Sequence, residues 1–202
     1  MHRLKEHLLR RLEDQFSNNE TSTGITMHDR SRVQFINNRI FKHKVLRVNY
    51  TTYDLRRAQE SLNSRTHADF MTLWPPHPDI AGNQFPYRFG RIIGIFHAMV
   101  LFNAGPGSRV NEPQHMEFLF VRWFTADQGH CGGWKSKQLH CIKFVNDDDD
   151  AFEFVDPQDV IRRVHLIPAF HYGQTSDLLS PSVIARPKSD NDEDWSYFYV
   201  NM

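Results

Sequence analysis

The sequence predicts a mainly β protein with helices only at its edges, built as a coiled antiparallel sheet or a small, partly open barrel. Several segments alternate apolar and polar residues with a period of two, which is typical of half-buried strands. No strand–helix–strand rhythm is present, so a parallel sheet is not expected. The 202 residues, 40% hydrophobic and 13% aromatic, divide into an N-terminal helix and linker, residues 1–32, and one mostly β domain, residues 33–202.

The first element is an amphipathic helix over residues 2–16, since Leu4, Leu8 and Leu12 recur every four residues. A polar stretch at 17–24 predicts a linker. The helix can dock on the body of the protein, pair with a second chain, or be the remnant of something longer. The alternation of charge and leucine does not resemble a secretory signal, so we expect an intracellular protein.

The next elements are strands. Leu46 to Thr51 alternates apolar and polar residues, whereas residues 53–63 contain good helix formers and predict a short helix or a tight loop. A short apolar strand at 70–74 ends at a proline-rich connection. Residues 85–102 form the clearest strand, and the two glycines inside it predict a bulge, strong coiling or a close approach of the backbone.

The second half of the chain predicts further strands and one helical turn. Residues 116–124 are apolar on both faces, which is typical of a central strand. Asp156 followed by Pro157 predicts a capped helical turn that reaches about Arg162. The remaining predicted strands cover residues 141–145, 152–155, 164–170 and 195–200.

Charge is unevenly distributed along the chain. Residues 1–65 hold 13 Lys and Arg against 7 Asp and Glu, a net of +6, and residues 66–202 hold 11 against 17, a net of −6. The split predicts an anionic partner such as nucleic acid at the basic end; the alternative is that the two parts neutralise each other in the fold. The candidate nucleic-acid-binding residues are Arg39, Lys42, Lys44, Arg47, Arg56 and Arg57.

Aromatic residues offer a second candidate site. Tyr87, Phe89, Trp123 and Trp134 could line a groove for a peptide or a cation. The alternative is that they belong to the core.

Histidines next to carboxylates and cysteines raise the question of metal binding. Three His-x-carboxylate pairs, which begin at His67, His77 and His115, match half of an iron-oxygenase ligand set. Composition alone predicts roughly one or two such pairs, so three are not enough to indicate a site. The pairs His130-Cys131 and His140-Cys141 could form a Cys₂His₂ zinc site. Neighbouring strand residues point to opposite faces, which argues against it. We therefore expect no metal and no cofactor.

No nucleophile motif, phosphate-binding glycine loop or paired catalytic carboxylates stand out. We therefore expect no enzymatic activity and no small-molecule substrate. The longest nearly unbroken apolar run, Ile92 to Phe102, has 11 residues, far below the roughly 20 that span a bilayer. No membrane association is expected.

Residues from about 40 to 202 resemble a module of fungal mobile-element proteins, which lies C-terminal to the catalytic core of Plavaka-type transposases and also occurs alone. The blocks that carry the resemblance follow one another in order: residues 48–57, 63–69, 91–97, 120–124, 156–162, 164–170 and 194–202. In that family the acidic catalytic triad belongs to an upstream domain. The resemblance implies an accessory module, and the end of the chain at Met202 indicates a truncated or domesticated fragment.

A weaker similarity is to bromo-adjacent homology domains, which are coiled β-barrels that make chromatin and protein contacts. It rests on residues 86–92 and on Val121-Arg122-Trp123-Phe124. Thr125-Ala126-Asp127 departs from that family's continuation. The similarity implies a partly open SH3/BAH-like barrel.

Together these observations predict a non-enzymatic, transposon-derived binding module that contacts chromatin, nucleic acid or a partner protein in the nucleus. The alternatives are a degenerate transposase fragment without activity, or a protein that binds metal through its His and Cys residues. The sequence indicates no particular oligomeric state.

Overall fold

A computed structural model describes residues 1–16, 27–52, 54–74, 86–103, 112–127, 129–130, 132–133, 136–146, 150–186 and 190–201. The described chain is mainly β and antiparallel, as predicted. The predicted linker at 17–24 lies outside the described residues, as does most of the proline-rich connection after residue 74.

Helical structure is short and confined to the edges of the fold. The helices are α1 (His2–Phe16), α2 (Met27–Ser31) and three 3₁₀ turns at Ile36–Asn38, Pro157–Asp159 and Phe170–Tyr172. The strands are β1 (Val33–Phe35), β2 (Phe41–His43), β3 (Leu46–Thr51), β4 (Arg57–Leu62), β5 (Asp69–Leu73), β6 (Tyr87–Phe102), β7 (Gln114–Ala126), β8 (His140–Phe144), β9 (Phe152–Val155), β10 (Arg162–Arg163), β11 (His165–Pro168), β12 (Gln174–Thr175), β13 (Asp194–Trp195) and β14 (Phe198–Asn201).

The main sheet is built around the long β6–β7 hairpin. Its strand order is β10-β5-β6-β7-β8-β14-β11, with β1 and β2 paired along β6 and β9 paired with β7. The two ends of this order, β10 and β11, do not pair with each other among the described residues, so the sheet is open rather than a closed barrel. The pairing of β6 with β7 shifts register between Ile92 and Gly94, which is the predicted bulge.

Helix α1 docks on one face of this hairpin. Leu4, Leu8, Leu9 and Leu12 are buried in one cluster with side chains of β6 and β7 such as Phe118. The leucine stripe therefore packs against the sheet, which is the docking alternative of the sequence prediction.

The prediction for residues 53–63 is wrong, because residues 57–62 form strand β4 rather than a helix or a tight loop. The good helix formers are overridden by packing: β4 pairs with β3 over six residues and buries Leu62 in the same cluster as Val48. The helical turn after Asp156 is present and is capped by the Asp156 carboxylate, which accepts a hydrogen bond from the Gln158 amide at 2.9 Å. It ends at Asp159, earlier than predicted.

None of the helices in the described part of the chain has both the length and the apolar character needed to cross a lipid bilayer.

Candidate nucleic-acid interface

Strands β3 and β4 form a two-stranded antiparallel ribbon whose two faces differ sharply. Pairing is continuous from Leu46 opposite Leu62 to Thr51 opposite Arg57. Successive side chains of a strand point to opposite faces, so every second residue of each strand faces outward. The outward set consists of Arg47, Asn49, Thr51, Arg57, Gln59 and Ser61, all exposed.

The inward face attaches the ribbon to the main sheet. Val48 and Leu62 are buried among core side chains of the sheet. Glu60 also faces inward, where it accepts hydrogen bonds from the Arg162 guanidinium at 3.3 Å and the Arg163 amide at 2.9 Å. The only carboxylate of the two strands is therefore turned away from the outward face.

The centre of the outward face carries two amide side chains side by side. Asn49 and Gln59 are directly opposite in the register, and the Gln59 Nε2 donates to the Asn49 Oδ1 at 2.8 Å. Together with Arg57 they line a shallow depression of about 500 Å³. Both residues are exposed, so the amide donors and acceptors that do not take part in this hydrogen bond are accessible to solvent.

The turn at the tip of the ribbon is held by contacts among residues 52–56. The Thr52 amide donates to the Arg56 carbonyl at 2.8 Å, and the Arg56 guanidinium lies 2.9 Å from the Asp54 carboxylate. Both charged side chains of this pair are mostly exposed, so their attraction is weakened by solvent.

Strand β2 lies next to the ribbon in the chain and leaves one edge unpaired among the described strands. It pairs with β6 through Phe41 opposite His97 and His43 opposite Ile95. All three of its side chains are exposed, including Lys42.

The structure places all six predicted basic residues on the surface. Five of them have no carboxylate within ion-pair distance among the described residues: Arg39, Lys42, Lys44, Arg47 and Arg57. Most described arginines outside this segment are paired, for example Arg32 with Glu13 at 2.6 Å and Arg91 with Asp69 at 2.6 Å. Within the described parts of the chain, most of the positive charge of residues 39–57 therefore has no ionic partner.

Two clefts flank β2. Lys42 lines one of about 710 Å³ together with Arg65 and the carboxylates of Asp69, Asp190 and Asp194. His43 lines the other, of about 480 Å³, together with Arg47 and Glu117. Both clefts therefore contain carboxylates as well as cations, and among the described residues the surface without carboxylates is confined to the outward face of the ribbon.

Three histidines form a row of rings across β2, β6 and β7. The ring centroids of His43 and His97 are 4.7 Å apart, and those of His97 and His115 are 4.6 Å apart. Loss of solvation and the two neighbouring imidazoles lower the pKa of His97. The His97 ring is also stacked on Phe41 at 4.8 Å, so this row extends onto the exposed edge strand.

A buried charge cluster underlies the first cleft. Arg122 donates two hydrogen bonds to the Asp194 carboxylate at 3.0 and 2.9 Å, and Arg186 donates a third at 2.7 Å. Burial by itself would raise the pKa of Asp194, but the hydrogen bonds and charges of both guanidiniums hold it below its usual range. The cluster fixes the segment before β13 to the central strand β7.

The prediction that four aromatic residues line a groove is wrong for two of them. Phe89 and Trp123 are buried and belong to different core clusters, so their side chains pack instead of lining a surface. The Trp123 Nε1 donates to Glu153 at 2.7 Å. Tyr87 is half-buried beside the cluster that contains Phe89, and Trp134 lies outside the described residues.

The metal candidates are dispersed. Asp69 is held by Arg91 rather than by His67, and Cys141 is a buried free thiol. Burial and the nearby Asp127 carboxylate raise the pKa of Cys141. Residues His77, Asp79 and Cys131 lie outside the described residues. In the described parts of the chain, no group of three or more His, Cys, Asp or Glu side chains is arranged so that it could hold a metal ion.

Sequence reasoning identified the cations of this surface but missed the polar residues between them. Asn49 and Gln59 carry no signal of their own and become a pair only when β4 is recognised as a strand. Arg122 did carry a signal, since a charge inside the apolar run 116–124 requires a buried partner.

No protein-family model, curated protein or solved structure matches the chain.

Proposed function

We propose that this chain is a non-enzymatic nucleic-acid-binding module of transposon origin that acts in the nucleus. The binding surface consists of β2, the β3–β4 ribbon and the residues that join them. The single observation that carries the proposal is the group of five exposed cations without a carboxylate partner among the described residues.

Uncompensated surface cations suit a polyanion for a physical reason. Each Lys or Arg that neutralises a phosphate releases condensed counterions, which is the main source of sequence-independent affinity for nucleic acid. A paired arginine would first have to leave its carboxylate. The five side chains that lack a carboxylate partner in the described part of the chain avoid that cost.

The proposal predicts a strong dependence of binding on salt. For a fluorescent DNA duplex, the logarithm of the association constant should fall with the logarithm of salt concentration with a slope of about −0.9 per phosphate contact. The triple variant Arg39→Ala/Lys42→Ala/Lys44→Ala should bind more weakly and have a slope smaller in magnitude by about 3. Fluorescence anisotropy between low and moderate salt measures both quantities.

Arg10→Ala is the matched control. Arg10 is an exposed arginine on α1 that is paired with Glu6 at 3.0 Å, and its removal should leave the slope unchanged. No binding at low salt, or a slope that the triple variant does not alter, would contradict the proposal and favour a protein partner or an inactive fragment.

A further inference from the structure

We infer that the β3–β4 ribbon enters the major groove of duplex DNA and reads base edges with its outward side chains. The inference rests on the proposed function and adds the substrate class and the residues that would set sequence preference. It starts from the outward face of the ribbon, which contains arginine, two amides and two hydroxyls but no carboxylate.

The dimensions of the ribbon suit the groove. Paired strands lie roughly 4.8 Å apart, and the major groove of B-form DNA, about 12 Å wide, admits a two-stranded ribbon with its side chains. Each strand has six residues, which at about 3.3 Å per residue gives a length of roughly 20 Å. The major groove of double-stranded RNA is too narrow for side chains to read, so the inference is confined to DNA.

The chemistry of the outward face matches base edges. Asparagine and glutamine make paired hydrogen bonds with adenine, and arginine makes them with guanine. Asn49 and Gln59 place two amide groups of this kind at the centre of the ribbon, and the 2.8 Å hydrogen bond between them orients both groups. Arg47 and Arg57 lie on the same outward face, on either side of that pair.

Cations at the two ends of the ribbon are placed for phosphate contacts. Lys44 precedes β3 at the base and Arg56 precedes β4 at the tip, and both are exposed; Arg56 would have to leave the Asp54 carboxylate, 2.9 Å away, to contact a phosphate. Phosphate contacts fix register and orientation, whereas base contacts determine sequence preference. In the ribbon, the two ends would therefore contact phosphates and the outward face would contact bases.

The test is selection from a pool of duplexes with a randomised central segment, followed by sequencing of the bound fraction. The unaltered protein should enrich a short motif, and the Asn49→Ala/Gln59→Ala variant should lose about tenfold to a hundredfold of the preference for it. That variant should keep its salt slope, because neither amide side chain is charged.

Two further variants separate specificity from affinity. Lys42→Ala/Lys44→Ala should weaken binding to all sequences alike and reduce the salt slope by about 2, with the motif retained. Gln174→Ala alters an exposed strand glutamine of β12 and should change nothing.

The results that would contradict the inference differ in what they imply for the proposed function. Salt-dependent binding with no enriched motif, or a motif that Asn49→Ala/Gln59→Ala leaves intact, overturns the inference while the proposed function stands. Tighter binding to single strands than to duplex also overturns it. Absence of binding at low salt overturns both.

Discussion

Gly90 lies where two aromatic rings close over the backbone of β6. A Cβ atom at this position would be 2.8 Å from two ring atoms of Phe70 and 2.9 Å from Trp123. Both rings are buried, so neither can swing into solvent. The glycine is required here by close approach, not by backbone conformation.

Gly90→Ala should destabilise the protein by roughly 1 to 3 kcal/mol, because the added methyl group overpacks a closed core. Urea denaturation followed by tryptophan fluorescence measures the change. Gly129→Ala is the control, since its added Cβ would have no neighbour closer than 3.8 Å. Equal stability of the two variants would contradict this explanation.

At the scale of single elements, α1 carries a half-buried histidine, His7, whose surroundings disfavour its protonated form. Burial and the charges of Arg11 and Arg10 lower the pKa of His7 to about 4, and its Nε2 has no hydrogen-bond partner. The ring lies 6.4 Å from Phe154 of β9. The helix therefore docks with His7 neutral.

Because the pKa of His7 is lower in the folded protein than in the unfolded chain, protonation favours unfolding. The stability due to the neutral ring is fully present above pH 6.5 and is lost as the pH falls toward 4. At pH 4.5 the loss should be roughly 2 kcal/mol relative to neutral pH. His7→Gln should reduce this loss; urea denaturation of both proteins at pH 7 and pH 4.5 measures it. An equal pH dependence in the two would refute the assignment.

Elements with a strong internal pattern could be predicted from the sequence. The leucine stripe predicted α1, and the long apolar segment with two glycines predicted β6 and its bulge. The three-residue strands β1 and β2 could not be predicted, because they exist only where β6 offers an edge. Strand β4 was missed because packing against β3 outweighs its helix propensity.

Prediction of the candidate site is limited in the same way, because the site also depends on contacts between residues far apart in the chain. The basic residues of segment 39–57 are visible as an excess of charge. Which of them lack an ionic partner depends on carboxylates far along the chain, as when Glu13 pairs with Arg32. The pairing of Asn49 with Gln59 requires the register of a hairpin that the sequence did not predict.

At the scale of the whole molecule, the Asp194 carboxylate holds distant parts of the chain together. It links Arg122 of β7 with Arg186, whose guanidinium also donates to the Leu179 carbonyl at 2.9 Å. All three charged side chains are nearly fully buried. Removal of the carboxylate would leave Arg122 without an ion-pair partner among the described residues and Arg186 with only the half-exposed Asp192 carboxylate.

Asp194→Asn should therefore cost roughly 3 to 5 kcal/mol, as is typical when one partner of a buried ion pair is removed. Chemical denaturation at neutral pH measures the loss. Asp192→Asn is the matched control: this carboxylate is half-exposed and lies 3.8 Å from Arg186, so its removal should cost less than about 1 kcal/mol. A small loss in both variants would show that the cluster contributes little.

The β6–β7 hairpin contributes to all three core clusters: to the one under α1 with Phe118, to the one under the ribbon with Trp123, and to the third with Phe124. No cluster can be completed before this hairpin has formed. We therefore expect the helix, the ribbon and the C-terminal strands to lose their core contacts together when the hairpin opens.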